Sequence, residues 1–119
     1  MAARKTKTAK PPARPKVTES ELEALIEEAV VDAYDDEERR MGFFNALEEN
    51  LEVPFETVVL GVPVEVTEIT LNDAQEMVAV CSHGKHTQHI PLVDLPLPSP
   101  PPEGFAWIEA YRLFASRGG

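Results

Sequence analysis

The chain is short of the residues on which most enzymatic and covalent chemistry depends. It has one cysteine, Cys81, and three histidines in 119 residues. A single thiol cannot close an intramolecular disulfide. No apolar run is long enough for a membrane helix, and no hydrophobic segment follows the positively charged start. Neither a spanning segment nor a secretory signal is therefore expected, and the expected compartment is the cytoplasm. Glycine-rich phosphate loops, nucleophile elbows and metalloprotease helices are missing as well. Cys81 sits in a predicted strand beside Val78 and Val80 with no third group to orient a Cys–His pair, so it reads as an inert buried thiol and the chain as a non-enzyme.

Basic residues are scarce everywhere but at one end. Six of the 11 (Arg4, Lys5, Lys7, Lys10, Arg14 and Lys16) fall in the first 16 positions, where there is no acidic residue. From Val17 onward 21 acidic residues face five basic ones, a net charge of −16 against −10 for the whole chain. Such a body repels nucleic acid and anionic membrane and attracts cations or basic proteins. Residues 1–17 offer almost nothing to bury and are expected to form a disordered basic tail, with weak, non-specific contact to nucleic acid at most.

Residues 18–119 are expected to form one acidic domain of the α+β class, beginning with a pair of helices within residues 18–51. Thr18 and Glu21 have the spacing of a capping box. Leu22, Leu25, Ile26, Ala29 and Ala33 follow helical spacing, with Glu23, Glu27 and Glu28 on the other face. Asp35, Asp36, Glu37 and Glu38 mark a polar break or a second helix start. Met41, Phe44, Leu47 and Leu51 continue an apolar stripe with Phe43 beside it, and Pro54 ends it. Over residues 55–95 the period becomes two: Val62, Val64 and Val66 alternate with Pro63, Glu65 and Thr67, and Gly84-Lys85 reads as a hairpin turn. Short, closely connected strands of this kind predict a small SH3-like barrel or a β meander. Residues 95–102 read as a polyproline arm that straps one element to another, and residues 103–115 as an aromatic C-terminal helix.

Two kinds of metal chemistry are open to these residues. Across a two-residue turn His83 and His86 face each other, with Cys81 one pair further along the same side; that set of nitrogen and sulfur donors suits zinc or copper. Carboxylates are the stronger signal. No EF-hand loop is present, but calcium asks only for six to eight oxygens. One cluster, Asp35, Asp36 and Glu37, coincides with a helix start, where acidic side chains also compensate the positive end of the dipole. The other, Glu48, Glu49 and Glu52 with Asn50 between them, lies at a predicted helix C-terminus. There carboxylates meet the negative end of the dipole and unpaired carbonyls, a misfit that a cation relieves.

The stretch Gly42-Phe43-Phe44-Asn45-Ala46-Leu47-Glu48-Glu49-Asn50-Leu51-Glu52-Val53-Pro54-Phe55 resembles the signature of a bacterial calcium-binding family first known from cyanobacteria. In that signature a glycine and two aromatics precede Leu-Glu-Asp/Glu-Asn-Leu and then Pro-Phe. Ile90-Pro91-Leu92-Val93-Asp94-Leu95 is similar to the family's closing strand, so the resemblance spans residues 33–97. The proline arm and the C-terminal helix lie outside this pattern. The resemblance implies calcium buffering or sensing without EF-hands, and Glu48, Glu49 and Asn50 are the positions that match. The chain is thus expected to bind Ca2+ through Glu48, Glu49 and Glu52 first and Asp35, Asp36 and Glu37 second. The alternatives are a metal-free protein-interaction module on an SH3-like barrel, and a zinc or copper site at the hairpin.

Overall fold

The computed structural model describes residues 17–118, so the basic tail, apart from Val17, lies outside the described residues. Helix α1 spans Glu19–Val30 and α2 spans Asp36–Asn50. Four strands follow, β1 (Phe55–Val59), β2 (Val62–Leu71), β3 (Met77–His83) and β4 (His86–Pro91), then a 3-10 turn at Leu92–Asp94 and helix α3 (Phe105–Ser116). The class is α+β, as the sequence predicts.

Local chemistry explains the helix starts. Thr18 caps α1: the Glu21 N–H donates to the Thr18 hydroxyl at 3.1 Å, and the Thr18 N–H donates to the Glu21 carboxylate at 2.9 Å. Asp35 caps α2 by accepting the Glu38 N–H at 2.9 Å. The four acidic residues of the break are therefore a second helix start.

The strands form one antiparallel sheet in the order β1-β2-β3-β4, so of the two β arrangements expected the meander is the one that forms. Two tight turns set its register. Leu60 and Gly61 both have positive φ (51° and 79°) and link β1 to β2 as a type I′ turn. Gly84, with φ 60°, opens the β3–β4 turn, which pairs His83 with His86. The pairing of β2 with β3 shifts between Val66 and Glu68, a bulge that brings Ile69 rather than Glu68 to the core face.

All three helices pack on one core with the sheet. Phe43 is fully buried and meets the Tyr111 ring edge-on at 5.5 Å and the Phe114 ring at 5.0 Å. This corrects the predicted stripe: Phe43, with Leu47 one turn on, is the core side chain of α2, while Met41 is exposed. Gly42 fixes that orientation, because a Cβ there would stand 2.0 Å from the Ala29 carbonyl oxygen; α1 crosses α2 at backbone contact. The proline arm is a strap. The Thr57 hydroxyl donates to the Pro96 carbonyl at 2.7 Å, and Arg112 of α3 donates to the carbonyls of Leu92 and Leu95. In α3 the buried face is Trp107, Ile108 and Ala110, with Tyr111 and Phe114 partly covered.

Candidate functional site

The C-terminal end of α2 concentrates negative charge where the helix is least able to bear it. Glu48 and Glu49 stand in the last turn, which contains no basic residue, and both are exposed. Among the described residues neither carboxylate makes a hydrogen bond or an ion pair. The turn closes locally: the Leu51 N–H reaches the Leu47 carbonyl at 2.9 Å, and Asn50 Nδ2 donates to the Ala46 carbonyl at 2.8 Å. That bond uses the amide nitrogen of Asn50 and leaves its oxygen as an acceptor.

Beyond the helix the chain is held to the start of α3. The Glu52 N–H donates to the Glu103 carbonyl at 2.9 Å, and the Glu103 N–H donates back to Glu52 Oε1 at 3.1 Å. Gly104, with φ 85°, rests directly on the Asn50 carbonyl, where a Cβ would come within 2.1 Å of the oxygen. No other residue tolerates both that φ and that approach. Glu48 also lines a cleft of ≈ 300 Å³ with Leu47, Leu51, Val53, Ile69 and Glu68, so the β2 bulge brings a further carboxylate to the same cleft. Sequence reasoning missed Glu68 and Glu103. The signal for Glu68 was present in the lapse of alternation between Val66 and Ile69, which marks a bulge; Glu103 carries no local signal.

The second cluster is mostly spent on the fold. Asp35 is the N-cap of α2, Asp36 pairs with Arg39 at 2.8 Å, and Glu38 accepts the Tyr34 N–H at 2.7 Å. Glu37 remains, beside Asp32 and Glu38 in a shallow cleft of ≈ 480 Å³ that also touches Met41 and Asn45. Oxygen donors of the hard kind that calcium takes are thus plentiful at both ends of α2. Among the described residues, however, no three His, Cys, Asp or Glu side chains are gathered as a metal centre. The hairpin does not gather its three donors either. Cys81 is only 1% exposed, packed among the core side chains with its thiol on the Ala79 carbonyl at 3.7 Å, whereas His83 and His86 are exposed.

The family model described as calcium binding, of the CcbP type, matches residues 23–114. The chain belongs to that calcium-binding family. The match takes in most of α1 and α3 and the whole proline arm, which corrects the narrower span of 33–97 on which the sequence resemblance stands. Among solved structures the chain is similar to Anabaena CcbP, at 24% identity and a TM-score of 0.66, over 87% of this chain and 95% of that one. It is also similar to a calcium binding protein in the calcium-binding form, at 24% identity and a TM-score of 0.64, over 82% and 90%. At that identity the two likenesses show a shared fold. No curated protein matches the chain.

Proposed function

We propose that this chain binds calcium reversibly, as a buffer or a sensor, with the ion held at the C-terminal end of α2 by Glu48, Glu49 and Glu52. Asp35, Asp36 and Glu37 at the other end of the same helix are the second choice, and their capping bonds make them the weaker one. The observation that carries the reading is the placement of Glu48 and Glu49. Two carboxylates without a described partner lie in the last turn of a 15-residue helix with no cation among its final residues. Membership of a calcium-binding family supports the choice of ion. An open site on exposed side chains holds calcium with about micromolar affinity or poorer.

The reading is of a binder and not of an enzyme. Burial pushes the Cys81 thiol pKa up, the opposite of what a nucleophile needs. A lone free thiol also suits the cytoplasmic setting that belongs to this proposal. Calorimetric titration with calcium in excess magnesium tests it. A saturable heat is expected from the native chain, with a large loss of affinity in the double variant Glu48→Gln, Glu49→Gln. No saturable heat would remove the proposal; full binding by the variant would move the ion to the other end of α2. Calcium-dependent capture of a protein partner would distinguish a sensor from a buffer.

A further inference from the structure

We propose that His83 and His86 form a separate site for a borderline divalent ion of the Cu2+ or Zn2+ kind, across the β3–β4 hairpin and away from the calcium-binding carboxylates. The two residues are direct register partners flanking the Gly84-Lys85 turn. Directly opposed residues share a face of the sheet, with Cβ atoms about 5 Å apart. Both side chains are exposed, so the pair is open to an ion from solvent.

A bond on the far side of His83 orients it. Its Nδ1 lies 2.9 Å from the Pro63 carbonyl oxygen. A carbonyl only accepts, so Nδ1 carries the proton and Nε2 keeps its lone pair in the neutral ring. Pro63 belongs to β2, which flanks β3 on one side, and His86 belongs to β4, which flanks it on the other. The two nitrogens of an imidazole lie on different edges of the ring, so a His83 tied to β2 through Nδ1 keeps Nε2 on the edge turned away from β2, the side of β3 on which His86 stands. A histidine whose second nitrogen donates to a backbone carbonyl is the usual arrangement of a metal-ligating imidazole.

The ion class follows from the donors. Imidazole nitrogen suits copper and zinc, and calcium and magnesium take oxygen instead. Two imidazoles leave the remaining coordination positions to water, and copper is expected to bind more tightly than zinc. Cys81 supplies no third ligand, because it is sealed in the core. His89 pairs with Val80, an odd step along the strand, and so lies on the other face as an internal control.

The test is a titration of the full chain with Cu2+ in saturating calcium, followed by paramagnetic broadening of NMR signals, with Zn2+ as a second probe. Broadening at one equivalent is expected to centre on His83 and His86. His83→Asn and His86→Asn should each weaken binding by roughly tenfold or more, a loss seen even when only a ligand's supporting bond is removed. His89→Asn should leave it unchanged. Nitrogen shifts of the metal-free chain should show His83 protonated on Nδ1. Broadening centred on Glu48 and Glu52, unchanged affinity in the His83→Asn, His86→Asn double variant, or an Nε2-protonated His83 would each overturn the site. Both positions are exposed, so these variants are expected to keep the native circular dichroism spectrum.

Discussion

Glu52 and Glu103 hold each other by two hydrogen bonds that run in opposite directions, one through both backbones and one from the Glu103 N–H to the Glu52 carboxylate. They are 51 residues apart in the chain and join the exit of α2 to the entry of α3. Glu52 therefore has an observed role as a strut to separate from its proposed role as a calcium ligand. Glu52→Gln keeps an acceptor oxygen and removes the charge; its unfolding free energy should stay within about 0.5 kcal/mol of native. Glu52→Ala removes the acceptor too and should cost about 0.5–1.5 kcal/mol. Both should lower calcium affinity. Urea unfolding and calcium titration of the three proteins provide the check, and equal calcium affinity in all of them would leave Glu52 as a strut alone.

Glu48 and Glu49 carry the opposite expectation for stability. Their carboxylates face the negative end of α2 without a compensating cation in the last turn. Each replacement by glutamine should therefore stabilise the calcium-free protein, by about 0.3–1 kcal/mol at low ionic strength. The same variants should lose the rise in thermal midpoint that calcium gives the native chain through preferential binding to the folded state. A scan with calcium and with chelator measures both effects. A lower midpoint for the chelated variants would show that these side chains serve the fold.

Features written within a few residues of sequence were legible, and features made by distant pairs were not. The Thr18–Glu21 box and the Gly84-Lys85 turn each depend on neighbours three positions apart, and the acidic run from Asp35 marks the start of α2. Helical spacing locates α2 and its buried Leu47 and Leu51, but leaves Phe43 beside the stripe and not at its centre. It favoured Met41 and Phe44, whereas α3 presents Tyr111 and Phe114 to Phe43. No rule within α2 encodes that choice. The acidic end of α2 was legible because charge and helix polarity conflict there. Glu68 and Glu103 reach the same region only through a bulge and a chain reversal.

Gly42 shows the same limit, because within its own helix it reads only as a weak former. In the fold it is the contact point of two backbones, with the Ala29 carbonyl where a Cβ would go. Gly42→Ala should raise intrinsic helix propensity and still destabilise the protein, by about 1–3 kcal/mol, because α1 must move off α2. Thermal unfolding checks the sign. A stabilised variant would mean that α1 shifts at little cost, since propensity alone predicts a gain of about 1 kcal/mol.

Acid should loosen the far side of the helical layer first. Arg117 pairs with Glu23 through both of its terminal nitrogens, one of them at 3.0 Å, and reaches Glu19 at 3.3 Å, tying the end of α3 to α1. The hydrogen bond from Arg117 holds the Glu23 carboxyl below its ordinary range, and the Thr18 N–H does the same for Glu21. A carboxylate with a lowered folded-state pKa contributes stability that is fully present above the unfolded value of about 4.3. That contribution is lost as the pH falls through the lowered folded values. Glu21 is exposed and Glu23 half-exposed, so the effect should be small and should shrink further in salt. Carbon NMR titration of the folded chain should show Glu21 and Glu23 titrating below a glutamate in an unstructured peptide. Arg117→Ala should return Glu23 toward the peptide value and leave Glu21 low, because the capping box is confined to α1. If both carboxyls moved together, the tie at Arg117 would be supporting the cap as well as the α1–α3 contact.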